Sequence, residues 1–437
     1  MQRTPESVVD LSMSRPCDSI YYSEQNSLKD RCRILFDNAF LQAAQSLQLP
    51  GVININVPNL SVLDYIHLNI VLPQVGTVTD FSLCEAWGYG LINYVQYRLG
   101  NSQQYQFSGQ QLFLYLASLT ETDSKFLQIC DEGGLAIAGS GASGITPEAN
   151  LIIPLPFVRN NAMAGDYLPF DLSLCNSPAV INVSLNPLSS ICGGSNGATY
   201  AGANRMSVCN FQARLGRFED HAMGLKNNLL ADPKALYVHN CIMLANSFQQ
   251  PVQGTVTYAQ PNASVPVAGS PQTITLTGFR WGALNSLILG FYDAAANTAS
   301  TSTNAFVFQR VRNVTLYYNG QLLYQAPNAS NELFSTEQHI SSGAAYPFRT
   351  VTSSAVSSNS QIYYLEIPLS QYMSTMPGVG ASHMQFGEQV GQNVMTLTFT
   401  PVITPGGAAT STNFIVYGAW VYEAGIVCQA DRTEFIF

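Results

Sequence analysis

From Gly51 onward, apolar and polar residues alternate with a period of two. Ile53, Ile55 and Val57 alternate with Asn54 and Asn56, the pattern of a strand with one buried and one wet face. The alternation returns as Ile181, Val183 and Leu185 against Asn182 and Ser184, and as Ile274 and Leu276 against Thr273, Thr275 and Thr277. It appears again as Met395, Leu397 and Phe399 against Thr396 and Thr398. Clusters of Gly, Asn and Ser separate these runs, among them 139–144 and 193–197, and mark loops. The pattern predicts an all-β body. Two segments carry the helical period instead. Ser27 with Asp30 reads as an N-terminal cap, and Phe36, Phe40, Ala44 and Leu47 follow on one face before Pro50-Gly51. This predicts an amphipathic helix in an N-terminal arm. A second helix is expected over Ser108 to Leu119, where Leu112, Leu116 and Leu119 share a face.

The two halves of the body repeat one another. Asn93 to Gly100 aligns with Asn313 to Gly320 at an offset of 220, each a strand running into a glycine turn. Ile153-Pro154-Leu155 matches Ile367-Pro368-Leu369, and Ile181 to Leu185 with Pro187 matches Met395 to Phe399 with Pro401, both at 214. Three matches in one order at nearly constant offset indicate a duplicated β domain, the period being far too long for a solenoid. The expected division is an arm over 1–50, a first β-sandwich over 51–250 and a second over 251–437. The residues between Pro187 and the next strong strand pattern, 188–234, outnumber those of the second half, 402–412, and hold Arg205, Arg214, Arg217, Glu219, Asp220 and Lys226. They are expected to form an excursion packed on itself or on a neighbour.

Composition narrows the function. Only 10% of the 437 residues are charged, against about 25% in an ordinary globular protein, while 46% are hydrophobic and 11% aromatic. Such a chain folds rather than staying disordered, and Ser, Thr, Asn, Gln and Gly must supply its polar surface. Little charge repulsion then opposes association between copies. A net charge of −9 argues against a nucleic-acid footprint, which needs clustered Lys and Arg. No apolar run approaches the ~18 residues of a membrane span, and the N-terminal residues lack the apolar core of a signal peptide, so a soluble, cytosol-made chain is expected.

Candidate chemistry is sparse. The nine cysteines (Cys17, Cys32, Cys84, Cys130, Cys175, Cys192, Cys209, Cys241, Cys428) form no C-x-x-C pair, and most read as buried free thiols. His67, His221, His239, His339 and His383 stand in no ligand spacing. Gly139 to Gly144 lacks the G-K-[ST] ending of a phosphate loop. The adjacent acids Asp131-Glu132, followed by Gly133-Gly134, read as a solvated turn rather than a glycosidase pair. Asn59, Asn182, Asn262, Asn313 and Asn328 open N-x-[ST] triplets that an Asn- and Ser-rich chain produces by chance. No catalytic, cofactor-binding or metal-ligating residue is assigned, and no cofactor is expected.

The run Gly90-Leu91-Ile92-Asn93-Tyr94-Val95-Gln96-Tyr97-Arg98-Leu99-Gly100, with Gln103-Gln104 and the helix from Ser108, resembles the signature of double jelly-roll major capsid proteins. So does Ile153-Pro154-Leu155-Pro156-Phe157-Val158-Arg159-Asn160, followed by Leu168-Pro169-Phe170 and the strand ending Asn186-Pro187. That lineage spans large eukaryotic DNA viruses, virophages, tectiviruses and adenoviruses. The resemblance covers roughly residues 50 to 437. It implies two tandem eight-stranded jelly-roll β-sandwiches behind a helical arm, and a structural, non-catalytic protein. It further implies homotrimers that tile an icosahedral shell pseudo-hexagonally, and a place in the virion after synthesis in the host cytoplasm. Neighbouring capsomers, minor capsid and penton proteins and an internal membrane are the implied contacts. The alternative from another class is a carbohydrate-binding or adhesive β-sandwich. For that alternative Trp87, Trp281 and Trp420 would have to form an exposed platform, whereas their strand-like contexts favour core packing.

Overall fold

A computed structural model of the chain describes residues 8–10, 34–57, 62–77, 80–83, 86–98, 104–119, 129, 131–153, 170–171, 178–194, 196–218, 236–258, 267–276, 283–293, 310–326, 348–351, 360–363, 365–369, 384–385, 394–403, 410–411, 413–429 and 432–436. Eight strands build the first sandwich: β1 (Ile34–Gln48), β2 (Gly51–Val57), β3 (Val62–Val71), β4 (Ile92–Arg98), β5 (Tyr105–Phe107), β6 (Glu148–Ile153), β7 (Ala179–Leu185) and β8 (Arg205–Phe218). Eight more build the second: β9 (Leu236–Pro251), β10 (Gln272–Leu276), β11 (Ala283–Asp293), β12 (Arg310–Tyr318), β13 (Gln321–Ala326), β14 (Leu365–Pro368), β15 (Met395–Ile403) and β16 (Phe414–Gln429). The first pairs as β6-β3-β8-β1 and β2-β7-β4-β5, the second as β14-β11-β16-β9 and β10-β15-β12-β13. Each order in the second sandwich is the corresponding order in the first with eight added to every strand number. Two such antiparallel sheets face to face form a jelly roll, and the chain holds two in tandem.

The alternation seen in the sequence sets the two faces. Ile53, Ile55 and Val57 of β2 and Ile181, Val183 and Leu185 of β7 are buried between the sheets, while Val52, Asn54 and Asn56 are exposed. In the second sandwich Met395, Leu397 and Phe399 of β15 point inward. There Phe399 stacks against Phe291 of β11 and Phe414 of β16, with ring centroids 4.7 and 5.8 Å apart. On the wet side of the same sheet Thr273 and Thr398, opposite one another, share a hydroxyl hydrogen bond of 3.1 Å. β12 and β13 join through Asn319-Gly320, both at positive φ (48° and 80°), the two-residue turn that asparagine and glycine adopt at least cost.

The repeat found in the sequence falls on equivalent strands: β4 with β12, β6 with β14, β7 with β15. One register differs. Val183 of β7 lies opposite Val95 and its counterpart Leu397 lies opposite Leu316, so Val95 corresponds to Leu316, one place beyond the Thr315 that an offset of 220 selects. The step matters because a one-residue slip exchanges the buried and wet faces of a strand.

Three sequence expectations are corrected. First, residues 34–48 of the expected arm form no helix but the edge strand β1, paired along β8. A spacing of four fits the helical and the strand period alike, so the spacing of Phe36, Phe40 and Ala44 does not tell the two apart. Ala44 is exposed, and Leu41 and Leu47 are the residues that pack on the core. Of residues 1–33 only Val8–Asp10 is described; it adds a parallel strand beside Leu236–Val238, so that part of the arm belongs to the second sandwich's sheet. The proposed cap at Ser27 lies outside the described residues. Second, 188–234 is no excursion in its central part. Residues 205–218 are β8, hydrogen-bonded to β1 and β3, with Met206, Cys209, Phe211 and Ala213 in the core. Third, β9 was expected in the first sandwich, yet it pairs along its length with β16 of the second. The sheets thus part between Phe218 and Leu236 rather than near residue 250.

Removing residues 1–48 should therefore unfold the first sandwich, because β8 would lose the strand that covers its edge. Circular dichroism and urea titration of the truncated chain check this; a cooperative transition of unchanged amplitude would assign β1 to a dispensable arm.

Candidate functional site: the seam between the sandwiches

Among the described residues, no group of three or more His, Cys, Asp or Glu side chains could hold a metal ion. Asp131 and Glu132 form a helical turn before Gly133, Asp131 exposed and Glu132 half-buried. Burial and the neighbouring Glu132 carboxylate raise the Asp131 pKa above its ordinary value of 3.8. His67, half-buried on β3, is shifted the other way: burial lowers it from 6.5, against the opposing pull of Glu132 and a hydrogen bond with Asn150. His239 is placed as a backbone position in β9, and His221, His339 and His383 lie outside the described residues. Cys192 and Cys209 are buried thiols, and burial pushes the Cys209 thiol up to about 12. Such a thiol is a packing group rather than a nucleophile. Trp87 and Trp420 are fully buried, so neither can stack on a sugar; Trp281 lies outside the described residues. Of the sequon residues, Asn182 is half-buried in mid-sheet between Asn54 and Gln96, and Asn313 is exposed on β12. Asn59, Asn262 and Asn328 lie outside the described residues.

The residues that gather polar groups from both halves lie along the seam between the sandwiches. Helix α1 (Trp87–Leu91) precedes β4, and helix α2 (Gly109–Leu119) follows β5 at the edge of its sheet. α2 begins with a reciprocal cap. Ser108 N–H donates to Gln111 Oε1 at 2.8 Å, and Gln111 N–H donates to Ser108 Oγ at 3.3 Å. The same Gln111 reaches across the seam. Its Nε2 donates to the Phe248 carbonyl of β9 at 3.0 Å and the Gly418 carbonyl of β16 at 3.4 Å. Ser247 Oγ returns a hydrogen bond to the Gln106 carbonyl of β5 at 2.8 Å.

α2 is buried on every side through Leu112, Phe113, Leu114, Tyr115 and Leu116, as a helix apolar all round must be. It rests on β11 and β16. There Ser286, Ile288, Ala419 and Val421, the row that alternates with the inward-pointing Leu287, Leu289 and Phe291, are also buried. Behind the seam, Gly418 lies opposite Phe248 in the pairing, and a Cβ at 418 would overlap the Phe248 ring. Glycine at 418 thus leaves room for the Phe248 ring beside Trp420, the two rings tilted by 41° with centroids 5.6 Å apart. Beside α2 the seam opens into a polar cleft of about 370 Å³ lined by Asn93, Tyr94, Gln106, Ser108, Gln111, Ser247, Phe248 and Gln249.

The Ser108/Gln111 spacing was legible as an S-x-x-Q box at the start of the expected helix, but nothing in the sequence told that its amide would span two domains. The arrangement fixes the two sandwiches against each other.

No family model matches the sequence, and no curated protein matches it. Solved structures do. The PBCV-1 protein VP54, fitted into a cryo-EM reconstruction of the virophage Sputnik, is similar at 13% identity and a TM-score of 0.59, over 93% of this chain and 97% of that one. The quasi-atomic model of the PBCV-1 virus capsid gives 13% and 0.57 over the same shares. The mavirus major capsid protein gives 9% and 0.51, over 92% of this chain and 89% of that one. At these identities the likeness establishes the fold: this chain has the double jelly-roll fold.

Gln111→Ala should cost about 2 kcal/mol in urea denaturation, from the lost cap and carbonyl contacts. Gln111→Glu keeps the cap acceptor but sets a carboxylate against two carbonyl oxygens, and should cost more than the alanine. Because His67 is depressed in the folded state, the unfolded chain binds the extra proton as pH falls through 6.5 toward the folded value, and stability is lost in that window. His67→Gln should flatten this part of the stability profile; an unchanged slope would remove His67 as its source. Cys209 should resist iodoacetamide in the native protein at mildly alkaline pH and react on unfolding, as mass spectrometry would read.

Proposed function

We propose that this chain is a major capsid protein whose homotrimers bring six jelly rolls into one pseudo-hexagonal tile of an icosahedral DNA-virus shell. The observation that carries this reading is the pairing of two jelly rolls in one chain across a buried, hydrogen-bonded seam. The likeness to the PBCV-1 capsid structures across almost the whole of both chains supports it. Low charge and a surface of Ser, Thr, Asn and Gln suit large, wet contacts between copies. The work of the protein is then shape and cohesion, with no turnover. Its partners are other copies of itself, neighbouring capsomers, minor capsid and penton proteins and an underlying membrane; its location is the virion, reached from the host cytoplasm.

Light scattering on the purified chain should give the mass of three copies, and negative-stain images should show hexagonal outlines. A monomer at the highest attainable concentration would overturn the reading.

A further inference from the structure

The contact between the two sandwiches is head-to-tail. The first sandwich contributes its β5 edge and α2; the second contributes the outward face of its β14-β11-β16-β9 sheet. Because the strands of the two sandwiches are arranged alike, each has such an edge strand and such an outward face among its described residues, and the contact within one chain uses the edge of one and the face of the other. Among the described residues two surfaces are left over: the β13 edge of the second sandwich and the outward face of β6-β3-β8-β1 in the first. An interface of this heterologous kind repeats until a ring closes or a filament grows.

The unused face is built as a polar version of the used one. Ile153 and Ile367 are equivalent, and they lie opposite Ile66 and Leu287, so His67 corresponds to Ile288. Gln212 lies opposite His67 as Ala419 lies opposite Ile288, so Gln212 corresponds to Ala419. Where α2 covers Ile288 and Ala419 to 1% and 4% exposure, His67 and Gln212 are half-exposed. Beside them Asn150, Asn69 and Asn210 form a row across β6, β3 and β8. Asn210 is buried, and its Oδ1 accepts no hydrogen bond from any described residue. The other unused surface, β13, is the edge strand equivalent to β5 and presents Leu322 at 51% exposure, with Gln321 and Gln325 exposed beside it. An exposed leucine on an unpaired strand edge is a surface that proteins ordinarily cover.

We infer that the β13 edge of one copy docks on the outward face carrying Asn69, Asn150, Asn210, His67 and Gln212 in the next copy, repeating between chains the contact that α2 and β5 make within one. This rests on the trimeric reading above and assigns the surfaces that close the ring. Three such contacts alternate with three internal ones. The internal contacts are dry around Ile288 and Ala419; the contacts between copies are hydrogen-bonded through amides.

The test uses the full chain with Gln212→Arg on the face, Leu322→Arg on the edge, and Val52→Arg, on the exposed side of β2, as control. Light scattering should give trimers for the wild type and the control and monomers for each of the other two, with circular dichroism unchanged. Mixing the two monomeric variants should then produce dimers and stop there, because each retains one working surface of opposite kind. Trimers from both single variants, or no dimer on mixing, would overturn the assigned surfaces while leaving the trimeric reading standing. A monomeric wild type would overturn both.

Discussion

Burial of α2 between two sheets is the contact on which the arrangement of the halves depends. An isolated helix of eleven residues is marginal in water, and α2 has no polar face to give to solvent. It is stable where α1 and β4 of its own sandwich and the outward face of the other enclose it. The enclosure is directional as well as apolar, because Gln111 closes the helix start with one end of its amide and holds the carbonyls of β9 and β16 with the other. Losing that side chain leaves buried backbone groups on both sides of the seam without their partner, so the two sandwiches are coupled at one residue.

The acceptors that Gln111 uses are themselves set by packing. Phe248 occupies the space that any side chain at 418 would need, and the carbonyls of this opposed pair face the helix start. The core of the second sandwich and the seam therefore meet at the same two residues. A substitution that fills position 418 disturbs both, first by displacing the ring and then by moving an acceptor.

Much of this fold was legible in the chain because the wet face of a jelly-roll strand is polar at every second residue. β2, β7, β10 and β15 could be read directly, and the order of the repeat located β4, β6 and their counterparts. What misled was arithmetic shared by two structures. Phe36, Phe40 and Ala44 satisfy a helix and a strand equally, and only the partner strand β8 decides between them. β8 itself alternates at Phe211, Ala213 and Leu215 but passes through shifts of register near Cys209, which break the pattern where it would have been noticed. α2 was found as a helix, yet Phe113, Leu114 and Tyr115 beside the expected leucine face already implied a helix with no wet side. The seam was not legible at all, since it joins residues 137 and 307 positions apart through main-chain atoms that carry no sequence signal.

The duplication has a further consequence for how a surface made of such chains can vary. In a ring of six identical units every substitution appears six times, and all six sides change together. In the proposed tile, fusing two units into one chain lets Ile288 and Ala419 drift away from His67 and Gln212, so that the contacts around the ring carry a threefold chemistry. Successive contacts around the ring then differ, and each half is matched to one kind of partner half. The order of halves around such a ring becomes a property written in the sequence, which a sixfold ring of single sandwiches could not encode.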